Sequence, residues 1–163
     1  MELQRDDLKG GPRARVTRPG LPVKPGHVDR FRVPGGEARL LNFGAGDRLK
    51  IRSPEGRQTC EYATFTTDGG IDPALISQTG GEPAAPSKGW SAEDTAFAAL
   101  QAVLSRSGVC LDETFPVTLF AGDGKAGELA EFSTDAAGFI LVVAPGAMMP
   151  VDGSNPPSDL EVV

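Results

Sequence analysis

Residues 33–66 decide the fold, and they read VPGGEARLLNFGAGDRLKIRSPEGRQTCEYATFT. Three apolar or alternating runs, at 38–43, 48–52 and 58–65, are separated by the turn signals GAGD at 44–47 and SPEG at 53–56. Short runs bounded by Gly, Pro, Asp and Ser are typical of β-strands joined by tight turns. The stretch therefore predicts a three-stranded antiparallel meander.

The rest of the chain favours the same class of fold. Its 21 Gly and 14 Pro are scattered between short apolar runs, which is typical of many short strands rather than of a helical bundle. Strands are predicted at 114–121, 128–133 and 138–144, and the run GFILVVA at 138–144 is apolar enough for a central strand buried on both faces.

One helix is predicted over 92–107, because Phe97, Leu100 and Leu104 fall at helical spacing and Ser91 is a suitable N-cap. The predicted fold is therefore β-rich α+β, an antiparallel β-sandwich or partly closed barrel with this helix packed against it.

The predicted domain organisation has two parts. Residues 1–30 contain several Gly and Pro without any period and are rich in Arg and Lys, which predicts an extended basic arm. Residues 31–163 form a single β-rich domain, in which 66–90 is a long loop of the kind that binds ligands or covers sites. The residues 160–163 begin a strand and then stop, which predicts either a strand at a sheet edge or a chain that continues in a longer protein.

Charge and composition limit the partners and the compartment. A formal net charge of −6 argues against sequence-independent binding of nucleic acid, which needs a basic face. No apolar run approaches the length that spans a bilayer. We therefore predict a cytoplasmic protein with reduced thiols, no nucleic-acid partner and no membrane contact, and a homo-oligomer is left open.

No cofactor and no metal site are predicted. Motifs for dinucleotides, phosphates and zinc proteases are absent, and the chain has one histidine, His27, and two cysteines, Cys60 and Cys110, without metal-binding spacing. The polar residues of the run 58–65 remain, together with the basic residues of the run before it. Cys60 and Glu61 are the catalytic candidates, and Gln58, Tyr62, Lys50 and Arg52 are the candidates for binding a ligand.

The stretch 33–65 resembles the opening of the urea carboxylase-associated domain family. The resemblance rests on Pro34, on Gly46 with Leu49 and Ile51, and on Gly56 with Gln58. Glu61 stands where the family has a shorter acidic residue, and residues 147–150 (AMMP) replace a cysteine-containing stretch. The resemblance implies a degenerate copy that has lost the family's site. It also implies the arrangement in which such a domain precedes a glycine-cleavage T-protein-like aminomethyltransferase.

Three functions follow as hypotheses. The leading one is an accessory or small-molecule-binding domain of an aminomethyltransferase-like protein of one-carbon or amine metabolism, without its own catalytic site, whose partner is a small ligand or a fused transferase domain. The alternative is an independent small enzyme of the urea carboxylase-associated type that acts on a carbon–nitrogen bond. The third is a structural interaction module whose basic arm docks on an acidic partner.

Overall fold

The computed structural model describes residues 15–16, 28–56, 58–80, 104–105, 116–120, 124–145 and 158–163. Within them, ten strands form two five-stranded sheets. Neighbouring strands pair antiparallel, except that β1 and β3 are parallel. The strands are β1 (Arg15–Val16), β2 (Phe31–Val33), β3 (Ala38–Phe43), β4 (Arg48–Ser53), β5 (Cys60–Thr66), β6 (Ile76–Gln78), β7 (Val117–Leu119), β8 (Glu128–Thr134), β9 (Gly138–Val143) and β10 (Leu160–Val162).

The two sheets pack face to face as a sandwich, which confirms the predicted fold class. The first sheet has the order β1-β3-β9-β5-β7 and the second has the order β2-β10-β4-β8-β6. Within the described residues they do not close into a barrel, so the barrel alternative is wrong. Alternate residues of both sheets fill the space between them, including Phe43, Tyr62 and Ile140 from the first sheet and Ile51, Phe132 and Leu160 from the second.

The predicted meander is wrong in its pairing, although its three strands lie where the sequence places them. β3 and β5 are both in the first sheet, on either side of β9, whereas β4 lies in the second sheet between β10 and β8. The reason is the chemistry of the strands. β4 carries Arg48, Lys50 and Arg52 on one face, and those residues are exposed, so β4 requires a sheet with one face in water. β9 is apolar on both faces and takes the central position instead.

The first sheet is covered on its outer face as well. Leu40, Phe65, Leu141 and Val143 form a second apolar cluster there with Leu104, which is fully buried. Leu104 and Ser105 are helical, and the rest of the predicted helix 92–107 lies outside the described residues. Because β5 is packed on both sides, its sequence lacks a clean alternation of apolar and polar residues.

The strand predicted at 160–163 forms β10, but it lies between β2 and β4, inside the second sheet rather than at its edge. Other short elements were not predicted. A 3-10 turn at Pro73–Leu75 and the strand β6 fall within the predicted loop 66–90, whose residues 81–90 lie outside the described part of the chain. β1 falls within the predicted arm, and the rest of 1–27 is likewise not described. No helix in the described part is long and apolar enough to cross a membrane.

Candidate functional site

The sequence-predicted site residues of β5 and the turn before it belong to the packed interior. Gln58 is 2% exposed, and its Nε2 donates hydrogen bonds to the carbonyl oxygens of Thr59 (2.8 Å) and Pro145 (3.1 Å). These two bonds satisfy both donors of the amide, so Gln58 ties the chain before β5 to the end of β9. Its amide nitrogen is therefore committed to the scaffold rather than to a ligand.

Cys60 and Tyr62 face the core between the sheets. Cys60 is fully buried, and burial, with a smaller contribution from the charge of Glu61, raises the pKa of its thiol well above the ordinary value. Burial also raises the pKa of Tyr62 to about 12, and its ring meets that of Phe132 edge to face at 5.3 Å between centroids. Glu61 is half-buried and lies on the opposite face of β5. The structure therefore does not bring Cys60, Glu61 and Gln58 together in a cleft.

Lys50 and Arg52 lie on the other sheet. Lys50 Nζ is 2.7 Å from Glu131 Oε1, and Arg52 Nη1 is 3.9 Å from Glu161 Oε2. Both ion pairs are on the outer, solvent-exposed face of the second sheet, where such pairs contribute little to stability. Because β4 and β5 are in different sheets, the predicted basic residues and the predicted polar residues do not form one site.

Because Cys60 is buried, we can predict how its thiol reacts. A thiol alkylates through its thiolate, and a raised pKa keeps the thiol of the folded protein protonated as pH rises from 7 to 9. We expect no modification of Cys60 by iodoacetamide in that range, and full modification in concentrated guanidinium chloride. Peptide mass spectrometry gives the occupancy at this residue. Rapid labelling of the folded protein would contradict the buried position.

A cleft of about 620 Å³ opens elsewhere, at one side of the sandwich. Strands β2, β10 and β4 of the second sheet line one wall, and β3 of the first sheet lines the other. Its floor is apolar and its rim is polar, which is the usual build of a small-molecule site. The floor is formed by Phe31, Leu41, Phe43, Leu49 and Val162, and the rim carries Asp29, Asn42, Asp47, Arg48 and Lys50.

The turn between β3 and β4 fixes one part of this rim. Asp47 Oδ2 accepts a hydrogen bond from the backbone nitrogen of Gly44 (2.7 Å), and the hydroxyl of Thr134 donates to the carbonyl oxygen of Gly44 (2.6 Å). Gly46 has a φ of +83°, a conformation that glycine adopts without strain. The turn is therefore held by β8, and the second carboxylate oxygen of Asp47, a residue that lines the cleft, makes no hydrogen bond to the described residues.

Charge and aromatic surface meet in the cleft. Arg48 is exposed and makes no ion pair with any described residue, in contrast to Lys50. Outside the cleft, the guanidinium of Arg39 stacks on the ring of Phe31 at 5.4 Å from its centroid, and Arg39 Nη1 donates to the carbonyl oxygen of Arg32. The site can thus hold a small ligand that combines an apolar or methylated body with a negatively charged atom. Among the described residues, no three His, Cys, Asp or Glu side chains converge as metal ligands.

Sequence reasoning missed most of this site. Of the predicted binding residues only Lys50 lines the cleft, and Phe31, Phe43, Asp47 and Arg48 were not singled out. The available signal was the Asp47-Arg48 pair at the start of an amphipathic strand, after a Gly-rich turn. This pair borders a cleft only because β2 and β10 lie beside β4, and local sequence pattern does not give the order of the strands.

Comparison with known proteins gives one informative match. No protein-family model matches the chain, so the resemblance to the urea carboxylase-associated family is not confirmed. A trimethylamine-oxide aldolase from Ruegeria pomeroyi is 28% identical over 157 residues, which is 95% of this chain and 20% of the relative. The chain therefore spans about a fifth of the length of that protein.

This match corrects the leading functional hypothesis. The accessory domain of an aminomethyltransferase-like protein, without its own catalytic site, is contradicted, because the relative that matches nearly the whole chain is named as an aldolase, which is an enzyme. The alternative hypothesis, an enzyme that acts on a carbon–nitrogen bond, agrees better with that name.

Proposed function

We propose that this chain belongs to an enzyme that breaks a carbon–nitrogen bond in a small methylated amine N-oxide, and that the cleft between β2, β3, β4 and β10 is its reaction site. The observation that carries the proposal is the match to a trimethylamine-oxide aldolase over 95% of the chain. The cleft supports it, because its walls combine the apolar and charged groups that such a substrate requires.

The reaction that the name implies is redox-neutral overall. Trimethylamine oxide has the same atoms as dimethylamine plus formaldehyde, so no oxidant or reductant is consumed. The oxide oxygen takes up one proton, a base removes a proton from a methyl group and passes it to the departing oxygen, and that oxygen leaves as water as a carbon–nitrogen double bond forms. Water then adds to that carbon, the carbon–nitrogen bond breaks, and formaldehyde and dimethylamine separate. The protons taken and given balance over the two steps.

The groups of the cleft suit this sequence of steps. Aromatic rings attract methylated ammonium groups, and Phe31 and Phe43 are among the residues that line the cleft. Arg48 offers a cation for the oxide oxygen. The free oxygen of Asp47 is suited to accept the methyl proton, since a base must lie within hydrogen-bond reach of the atom it deprotonates. Asp47 and Arg48 both belong to the residues that line the cleft.

Incubation of the 163-residue protein with trimethylamine oxide labelled with ¹³C in its methyl groups tests the proposal. We expect formaldehyde and dimethylamine to appear in equal amounts, as measured by nuclear magnetic resonance (NMR). Absence of both products above the level of a protein-free sample would overturn the function.

Arg48→Gln is the matching variant, and Arg52→Gln is its control. Both change one arginine of β4, but Arg52 does not line the cleft. We expect Arg48→Gln to lower kcat/KM by about 10- to 100-fold, because a hydrogen bond to a charged group contributes roughly 1.5–3 kcal/mol. Arg52→Gln is expected to stay within about twofold of the unchanged protein. Equal losses in the two variants would place the reaction outside the cleft.

Membership of the urea carboxylase-associated family stays part of this proposal. Each motif position has a physical reason in the structure. Gly46 and Gly56 both have positive φ, and Ile51 packs in the core between the sheets. These are the features that a strand between two tight turns needs, so they support the motif without identifying the family.

A further inference from the structure

The cleft is larger than trimethylamine oxide requires. Its volume is about 620 Å³, and pockets of about 300–1,000 Å³ are the ones that enclose drug-sized ligands. Trimethylamine oxide is much smaller than such a ligand, because it consists of one nitrogen, one oxygen and three methyl groups. When it is bound, most of the lining of the cleft therefore remains in contact with water.

The burial of the lining residues separates a polar part of the cleft from an apolar part. The charged and amide side chains of the lining are all exposed, and they are Asp29, Asn42, Asp47, Arg48 and Lys50. The apolar side chains lie deeper, since Leu41, Phe43 and Val162 are buried and Phe31 and Leu49 are half-buried. The polar groups thus surround the mouth, and the interior of the cleft is apolar.

Apolar lining also reaches the mouth at one residue. Val28 belongs to the lining, and it is 62% exposed. Apolar surface is stabilised when it leaves water, and the gain grows with the area that is covered. A ligand with an apolar chain covers more of this lining than trimethylamine oxide does, and it therefore binds more tightly.

We propose that the cleft binds dimethylalkylamine N-oxides, in which a longer alkyl chain replaces one methyl group, in preference to trimethylamine oxide itself. The N-oxide group stays at the polar mouth with Asp47 and Arg48, and the alkyl chain lies against the buried apolar residues. The choice of an N-oxide rests on the proposed function. The alkyl chain is inferred from the volume of the cleft and from its lining.

The proposed reaction is open to such a substrate, because two methyl groups remain on its nitrogen. The carbon of one methyl group leaves as formaldehyde, and the nitrogen keeps the alkyl chain and the other methyl group as a secondary amine. The water that is lost in the first step is returned in the second, so no oxidant or reductant is consumed. The chain takes no part in these bond changes, and its effect on kcat/KM comes from binding.

The test measures formaldehyde release from trimethylamine oxide and from the N-oxides of dimethylethylamine, dimethylbutylamine and dimethylhexylamine. We expect kcat/KM to rise along this series by about two- to fourfold for each methylene group, fourfold being roughly the effect of complete burial of that group. A kcat/KM that stays constant or falls as the chain lengthens would overturn the proposal.

A matched probe separates the length of the chain from its apolar character. The N-oxide of 3-(dimethylamino)propan-1-ol has as many non-hydrogen atoms as that of dimethylbutylamine, but its chain ends in a hydroxyl group. Because burial of a hydroxyl without a hydrogen bond is costly, we expect its kcat/KM to be at least about fivefold lower. Equal values for the two compounds would contradict the apolar site, because the end of the chain is then in water.

Variants connect the preference for a long chain to the cleft. Leu49→Ala removes an apolar side chain of the lining, and Leu129→Ala is the control, because Leu129 is exposed on the neighbouring strand and does not line the cleft. The measured quantity is the kcat/KM of dimethylhexylamine N-oxide divided by that of trimethylamine oxide. We expect this ratio to fall at least about fivefold in Leu49→Ala and to stay unchanged in Leu129→Ala.

An unchanged ratio in a folded Leu49→Ala protein would reject this position for the chain. Should Leu49→Ala not fold, the series of N-oxides and the hydroxyl-ended probe decide the question on the unchanged protein.

The two proposals fail in different ways. Formaldehyde release that does not increase with chain length overturns the alkyl site and leaves the function in place. If no N-oxide releases formaldehyde, the function fails, and titration of the ¹⁵N-labelled protein with the same N-oxides tests the alkyl site by NMR. Dissociation constants that fall with chain length, with shifts of the amide signals of Leu41, Leu49 and Val162, then support the site, and constants that do not fall overturn it as well.

Discussion

Phe132→Ala is expected to lower the free energy of unfolding by about 3–5 kcal/mol, which is the usual cost of removing a buried phenyl ring. Phe132 is 1% exposed in the middle of β8 and faces the core between the sheets. Its ring meets Tyr62 of the opposite sheet edge to face. The substitution thus removes a contact that joins the sheets and leaves a cavity between them. For a small domain with a total stability of about 5–15 kcal/mol, that is a large fraction.

Urea unfolding followed by circular dichroism measures this effect. Ser133→Ala is the control, because Ser133 is the next residue of the same strand and is exposed. That variant is expected to remain within about 0.5 kcal/mol of the unchanged protein. A loss below about 1 kcal/mol for Phe132→Ala would mean that the sheets do not pack through this ring.

Gly56→Ala is expected to destabilise the protein by about 3 kcal/mol or more. Gly56 has a φ of +72°, which costs a residue with a Cβ roughly 1–2 kcal/mol. A Cβ there would also lie 2.6 Å from backbone atoms of residues 124–126, and backbone cannot move aside as a flexible side chain can. The turn after β4 or the turn before β8 must then shift, and with it the end of the sandwich at which these turns lie.

The variant Gly46→Ala separates the two causes of destabilisation at Gly56, which are the positive φ and the close approach of the neighbouring backbone. Gly46 has a φ of +83°, but a Cβ at this position meets nothing within 4 Å. This variant is therefore expected to lose only the conformational part, about 1–2 kcal/mol. Thermal and urea unfolding of both variants give the comparison. Equal losses of unfolding free energy in the two variants would show that the close approach of the two turns at Gly56 does not contribute to the destabilisation.

The two glycines lie at opposite ends of β4. Gly46 belongs to the turn that carries Asp47 and Arg48 at the cleft, whereas Gly56 belongs to the turn after β4, away from the cleft.

Local sequence pattern determined the strands but not their partners. The run 38–43 forms β3 with the same bounds, the run 48–52 forms β4 with one further residue, and 138–144 forms the central, buried β9 apart from its last residue. These elements follow from periodicity and turn chemistry, which act over a few residues. The same turn residues do not determine whether the next strand pairs with the preceding one in the same sheet or crosses to the other sheet.

The site residues show the same division. The exposed position of Lys50 and Arg52 was readable from the alternation of β4, because a charged face must meet water. The burial of Gln58 and Cys60 was not, since Cys60 is covered by the packing of the two sheets and Gln58 donates a hydrogen bond to the carbonyl oxygen of Pro145. The local sequence around a polar residue in a strand is the same whether its side chain binds a ligand or a buried carbonyl oxygen.

By itself, then, the sequence determined a β-rich domain with short strands, its glycine turns and the amphipathic character of β4. Only the tertiary structure decided which strands share a sheet, and that Asp47 and Arg48 border an apolar cleft with Phe31. The physical reason is that local preferences fix the conformation of a segment. The pairing of distant strands is fixed by the burial of whole faces, to which residues far apart in the chain contribute together.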